Sequence, residues 1–302
     1  MKNLFYLTSI TLAEASIGVF VKLSGDAIPV FTLNCYRVGF AFLFLLATVP
    51  FIKRNFWEMD QDDIKPLFFI GLFIAMQISL FNVAMTLAPI ANVVIFWSVA
   101  PLFVFVFSWF FLKEKARKTH ILIFIIALVG IFIAKPLKGT AYLGNVIALC
   151  SGLTYAAMIT YMRHEGRDES PSMVVWYMGV ATLLLSPALF IFGPGEVFLM
   201  QSYPALGIKL PIMLWVMCLG AFSTGVAYLF ISLVLQNISA NVYSLVDIIV
   251  SPVVAAAFGY LVFNEVPSPN LIYGGILLLA AGFWLTWDMQ NRERRTEFRG
   301  EH

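Results

Sequence analysis

Three charged side chains stand well inside long apolar stretches, Glu14, Arg37 and Asp247, while Lys22 ends the first stretch and can snorkel. An ionised group at membrane depth is costly, so each marks a candidate functional position. Glu14 lies near the middle of its stretch, where a carboxylate can hold a cationic group or exchange a proton. The plainer reading of Glu14 is a hydrogen bond to a neighbouring helix, or a pairing with Arg37 for rigidity. Asp247 holds the place that Phe96 holds 151 residues earlier, so its charge is not shared between the two halves of the chain. Its plainer reading is a shallow carboxylate reaching water. Arg37, early in "NCYRVGFAFLFLL", offers a planar fork that can clamp a carboxylate, with a structural tie as its plainer reading. Polar and aromatic side chains punctuate the same stretches: Gln77, Ser79, Asn82, Trp97, Ser98, Thr154, Tyr155, Ser223, Thr224, Tyr228, Tyr243 and Ser244. Aromatic faces attract desolvated cations by about 0.5–2 kcal/mol each. Two carboxylates with Trp and Tyr therefore suit an amine, a quaternary ammonium or a zwitterionic amino acid. Against that, aromatic residues make up 16% of the chain, so packing explains any single ring as well.

The stretches that must carry these groups belong in lipid. Hydrophobic residues make up 61% of the chain and charged residues 12%, against about 25% charged in soluble domains. Cys35, Cys150 and Cys218 sit inside apolar runs and read as three buried free thiols, with no disulfide or metal spacing. Lys2 ahead of an apolar run imitates a signal peptide, but Glu14 interrupts the run, and it reads as a retained first helix.

A helix needs about 20 apolar residues to cross the hydrocarbon core. Ten candidates are present, over 4–23, 31–52, 67–87, 90–112, 120–136, 143–162, 173–193, 212–235, 240–263 and 271–288. The turns "LAPIA" and "QNISA" are too short to do more than join antiparallel neighbours. With the N-terminus inside, fourteen basic residues face the cytoplasm and four (Lys22, Lys135, Lys138 and Lys209) face outward. That asymmetry predicts cytoplasmic N- and C-termini. Trp57, Trp109 and Trp287 fall near span ends and read as interfacial anchors.

Residues 64–136 and 209–285 repeat one design. Pro101 precedes Glu114 by thirteen residues, and Pro252 precedes Glu265 by thirteen. Ala91-Asn92-Val93 matches Ala240-Asn241-Val242, Gly71 matches Gly220, and Gly130 matches Gly282, with offsets of 149 to 152. Five spans per copy is an odd number, so the copies enter the membrane from opposite sides. An inverted repeat of this kind is a signature of secondary transporters. Each proline removes a helix hydrogen bond, and the freed carbonyls can line a water-filled cavity or mark a hinge. Glu114 and Glu265, at helix ends, read as caps and anchors.

The mid-helix proline followed by "FFLKEK" in one copy and "LVFNE" in the other resembles the EamA repeat of the drug/metabolite transporter superfamily, over nearly the whole chain. The resemblance implies an all-α integral membrane protein: ten transmembrane helices as two inverted five-helix repeats, residues 1–138 and 139–302, around a central cavity. It implies that helices 1, 3, 4, 6, 8 and 9 line that cavity. Glu14, Gln77, Asn82, Trp97, Tyr155, Tyr228, Tyr243 and Asp247 are then the substrate-binding candidates, with Pro101 and Pro252 as gates. The expected function is alternating-access transport of small metabolites, amino acids or amines, with export favoured, across a bacterial or archaeal inner membrane. Import of a cation such as choline, or service as a permease subunit of a larger complex, is the alternative. The expected partners are a small-molecule substrate, protons as candidate coupling ion and the lipid bilayer, in a monomer or weak dimer.

Other classes lack their residues. There is no G-x-x-x-x-G-K-[ST] for a P-loop. His120, His164 and His302 lie at or outside span ends, which leaves no intramembrane Ser–His dyad or His-based zinc site, and Asp247 has no intramembrane Asp partner. The basic residues cluster between apolar runs, which gives nucleic-acid binding no support. No enzyme activity and no cofactor are expected.

Overall fold

The computed structural model describes residues 2–51, 61–113, 118–134, 140–165, 171–203, 208–234 and 240–300. In chain order its helices are α1 (Leu4–Ser24), α2 (Val30–Phe51), α3 (Asp63–Leu87), α4 (Ile90–Phe111), α5 (Lys118–Ala134), α6 (Ala141–His164), α7 (Ser172–Ile191), α8 (Ile212–Val234), α9 (Ala240–Phe263) and α10 (Pro269–Gly300). Seven of them are long and apolar enough to cross a membrane. The other three carry shorter apolar stretches, Ile121–Ala134, Val250–Phe263 and Pro269–Leu285. Where the sequence suggests a short basic tail, α10 continues as helix to Gly300. The turn at 88–89 joins α3 to α4 directly; "QNISA", Trp57 and Glu114 lie outside the described residues.

The all-α expectation needs one correction. Met200–Tyr203 (β1) and Ile208–Pro211 (β2) form an antiparallel hairpin between α7 and α8, with Met200 opposite Pro211. This segment lies outside the apolar spans, so its backbone groups need not be satisfied within a helix. Its approach is tied to the turn between α1 and α2: the Glu196 N–H donates to the Ala27 carbonyl, and the Thr32 hydroxyl donates to the Gly193 carbonyl at 2.8 Å.

In lipid, apolar side chains gain little by leaving their surroundings, so helices are held by close packing, for which small residues are suited. Glycines mark the closest approaches here. A Cβ on Gly71 of α3 would strike Val180 of α7. A Cβ on Gly220 of α8 would strike Phe40 and lie 2.7 Å from the Arg37 carbonyl of α2. A Cβ on Gly130 of α5 would lie 3.0 Å from the Gly274 carbonyl of α10. The helix neighbours follow one pattern: α3 lies against α6 and α7, α8 lies against α1 and α2, and α2–α7, α4–α9 and α5–α10 are paired.

The buried side chains form two clusters. One gathers Ala15–Leu33, the end of α3, α4 and parts of α5, α8, α9 and α10. The other gathers Val38 and Leu45 of α2, the first half of α3, Met158 and Met162 of α6, and α7. Leu33 belongs to the first cluster and Val38 to the second; Phe81 belongs to the first and Ile78 to the second. Polar side chains occupy the boundary between them.

Candidate functional site

Arg37 is the centre of that boundary. Its residue is 4% exposed, and its guanidinium is held by both copies. Nε donates to the Thr224 hydroxyl of α8 at 2.9 Å, and one terminal nitrogen donates to the Asn82 side-chain oxygen of α3 at 2.6 Å. The Asn82 amide donates in turn to Asn34 Oδ1 at 2.7 Å. Arg37 also interacts electrostatically with Tyr228 and with Glu14. A buried cation with its donors directed at neutral oxygens is tolerated because each contact is a charge-assisted hydrogen bond.

Local backbone departures bring these groups together. Cys218–Val226 of α8 is a π-helix, and the Thr224 hydroxyl also donates to the Leu219 carbonyl at 3.0 Å. Widened turns of this kind often sit at functional sites. α1 is interrupted at Ser16, between Lys2–Ala15 and Ile17–Ser24. The Ser16 hydroxyl donates to the Ala13 carbonyl and meets the Ser223 hydroxyl at 2.6 Å. The break in α1 and the π segment of α8 thus touch beside Arg37.

The expected binding residues separate into groups. Glu14, Asn82 and Tyr228 belong to the Arg37 neighbourhood. Glu14 is part-exposed and lies within electrostatic reach of Arg37. Trp97 and Tyr155 form a ring group with Phe81, at centroid distances of 5.3 Å between Trp97 and Tyr155 and 6.1 Å between Phe81 and Trp97. The Trp97 indole N–H is buried and has no hydrogen-bond partner among the described residues. Gln77 is buried, and its backbone carbonyl accepts the Ser151 hydroxyl at 2.9 Å. α9 runs through Tyr243 and Asp247, whose side chains lie outside the described residues.

The matched prolines differ. α4 is interrupted between Trp97 and Ala100, and Pro101 stands in the first turn of the restarted helix. Pro252 stands inside an unbroken helix, Ala240–Phe263. The reading of the thiols also changes. Cys35 is buried, but Cys150 lies on the outside of the bundle and Cys218 is intermediate, because α6 turns Cys150 away from its packed face. Lys22, at the end of its span, pairs with Glu265. Arg37, for which the sequence favours a structural tie, bridges α2 to α3 and α8 through Asn82 and Thr224. The available signal was its depth: Arg37 lies further inside its span than Lys22 or Lys135, which stand at span ends.

A family model described as the EamA-like transporter family matches residues 1–134 and 142–287. Among curated relatives, a pseudopaline exporter CntI of Pseudomonas aeruginosa is 23% identical over 88% of this chain and 89% of its own. An S-adenosylmethionine uptake transporter of Rickettsia bellii is 20% identical over 94% and 92%. An uncharacterized transporter of Archaeoglobus fulgidus is 23% identical over 90% and 91%. A crystal structure of a protein sharing 15% identity has the same fold, with a TM-score of 0.64 over 97% of this chain and 98% of that one.

Proposed function

We propose, from the premise that this chain belongs to the EamA-like transporter family, that it is a secondary transporter exporting amino acids or amines by alternating access. Family membership makes it a transporter and not an enzyme, and its spans make it a multi-pass plasma-membrane protein. The finer architecture is two inverted five-helix repeats with both termini cytoplasmic. Its support is the exchange of contacts between copies: Gly71 of α3 meets α7 where Gly220 of α8 meets α2. The observation that carries the substrate class is the polar boundary itself. Arg37 and Glu14, of opposite charge, lie close enough to interact between two apolar clusters, and such a pair suits the carboxylate and ammonium of an amino acid.

Proteoliposomes loaded with a panel of labelled amino acids and amines, with and without an imposed pH gradient, test this reading. Saturable flux of an amino acid that is lost in Arg37→Gln supports it. Absence of flux for the whole panel in both directions overturns it. A second reading, import of a cation such as choline, draws on the Phe81–Trp97–Tyr155 rings and on the relative named for uptake. Choline entry that survives Arg37→Gln and is lost in Trp97→Leu selects it.

A further inference from the structure

We infer that Lys22, Glu265 and the backbone N–H of Ile90 form a releasable latch that holds one end of α1, α4 and α9 together. The inference rests on the transporter reading, whose proposed topology puts this end outside. One Glu265 oxygen accepts from the Lys22 ammonium and the other accepts the Ile90 N–H at 2.8 Å. One carboxylate thus joins three helices separated by 243 and 175 residues of sequence.

Local structure aims each group. α9 ends on Asn264 in the left-handed region, with φ of 54°. The Asn264 N–H donates to the Tyr260 carbonyl and the Glu265 N–H to the Gly259 carbonyl, which closes the helix end and folds Glu265 back over α9. Gly259 leaves room there: a Cβ would lie 3.0 Å from the carboxylate. Ile90 begins α4 behind Pro89, which offers no side-chain cap. Its N–H is one of the unpaired donors of a helix start, and a carboxylate there is also favoured by the positive end of the helix dipole. The Lys22 ammonium lies 5.8 Å from the Phe263 ring centre, and a Cβ on Gly18 would strike Ile90 just below the latch. The segments so tied are short and end at irregular turns, where the helical hydrogen-bond pattern thins. Ile17–Ser24 follows the break at Ser16, and Ile90–Trp97 precedes the interruption at Ser98. Each can swing as a unit when Glu265 lets go. The other copy prepares the same turn: Lys113, before Glu114, has φ of 56°.

Cysteine accessibility tests the latch without any cargo. Cys35, Cys150 and Cys218 are replaced by Ala, Ser16→Cys is introduced behind the latch, and the full chain is reconstituted in liposomes. A membrane-impermeant trimethylammonium-ethyl methanethiosulfonate is the probe. Lys22→Met and Glu265→Ala are each expected to raise labelling about tenfold from the Lys22 end, the effect of about 1.4 kcal/mol taken from the closed state. Glu265→Gln keeps an acceptor for the Ile90 N–H and is expected to raise it less. The charge exchange Lys22→Glu with Glu265→Lys is expected to label more slowly than either single change. Labelling at the parent rate in Lys22→Met and in Glu265→Gln, both with parent-like unfolding temperatures, overturns the latch while leaving the transporter reading untouched. A protein that carries none of the metabolites but labels as expected separates the two the other way.

Discussion

α3 and α8 hold matched places in the two copies, yet they contribute to the polar boundary differently. α3 is helical without interruption from Gln61 to Leu87 and offers Asn82. α8 carries nine π-helical residues, Cys218–Val226, and offers Thr224 to the same guanidinium. The cation itself has no counterpart: with Gly39 set against Gly179, Arg37 corresponds to Tyr177. The shared features (glycine contacts, proline positions, left-handed helix ends) build a scaffold. Three unshared ones (Arg37, Glu14 and the π segment) meet at the polar boundary, while the interruption before Pro101 lies with the separate Phe81–Trp97–Tyr155 rings.

The strongest way to break this comparison is to remove its centre. Arg37→Gln is expected to lower amino-acid flux roughly 100-fold, what about 3 kcal/mol of contact to a charged group supplies. Initial rates in proteoliposomes measure it, and a parent-like rate would return Arg37 to the scaffold. Glu14→Gln comes next. It is expected to fold and insert normally and to lose most transport, with residual flux no longer responding to pH between about 5 and 8. Full activity with unchanged pH response makes Glu14 a structural partner of Arg37 only.

The prolines sharpen the comparison further. Because only Pro101 stands at an interruption, Pro101→Ala is expected to slow transport several-fold and Pro252→Ala less, both at near-normal expression. Equal slowing would show that the unbroken helix bends in turnover as much as the broken one. The smallest effect concerns packing. Gly220→Ala and Gly71→Ala are each expected to destabilise the protein by about 1–3 kcal/mol through overpacking. Gly220→Ala is expected to be the worse, because its new methyl meets the Arg37 carbonyl, whereas Gly71→Ala meets chiefly the Val180 side chain. Thermal unfolding in detergent ranks the pair.

Much of this architecture could be read from residue order. Lipid demands a minimum apolar length and internal backbone hydrogen bonding, so the span-forming stretches show themselves one at a time. Ala91-Asn92-Val93 against Ala240-Asn241-Val242 and the two proline–glutamate pairs display the repeat because matched folds keep matched local chemistry. The expense of a charge in lipid also made Glu14 and Arg37 visible as residues worth explaining. What each charge faces was decided by tertiary structure alone. The partners of Arg37 lie 45 and 187 residues away and that of Lys22 lies 243 away, on other helices. Helix rotation and depth select them, and near-uniform apolar helices have little periodicity from which rotation could be read. The same ignorance put Cys150 inside the bundle when it lies on the outside. The π turns of α8 and the interruption of α1 at Ser16 were likewise invisible, because neither requires a proline at that point and both are set by what packs against them. Apolar length is a property of a segment and can be read within it; the pairing of buried polar groups is a property of two or more segments and exists only once they are packed.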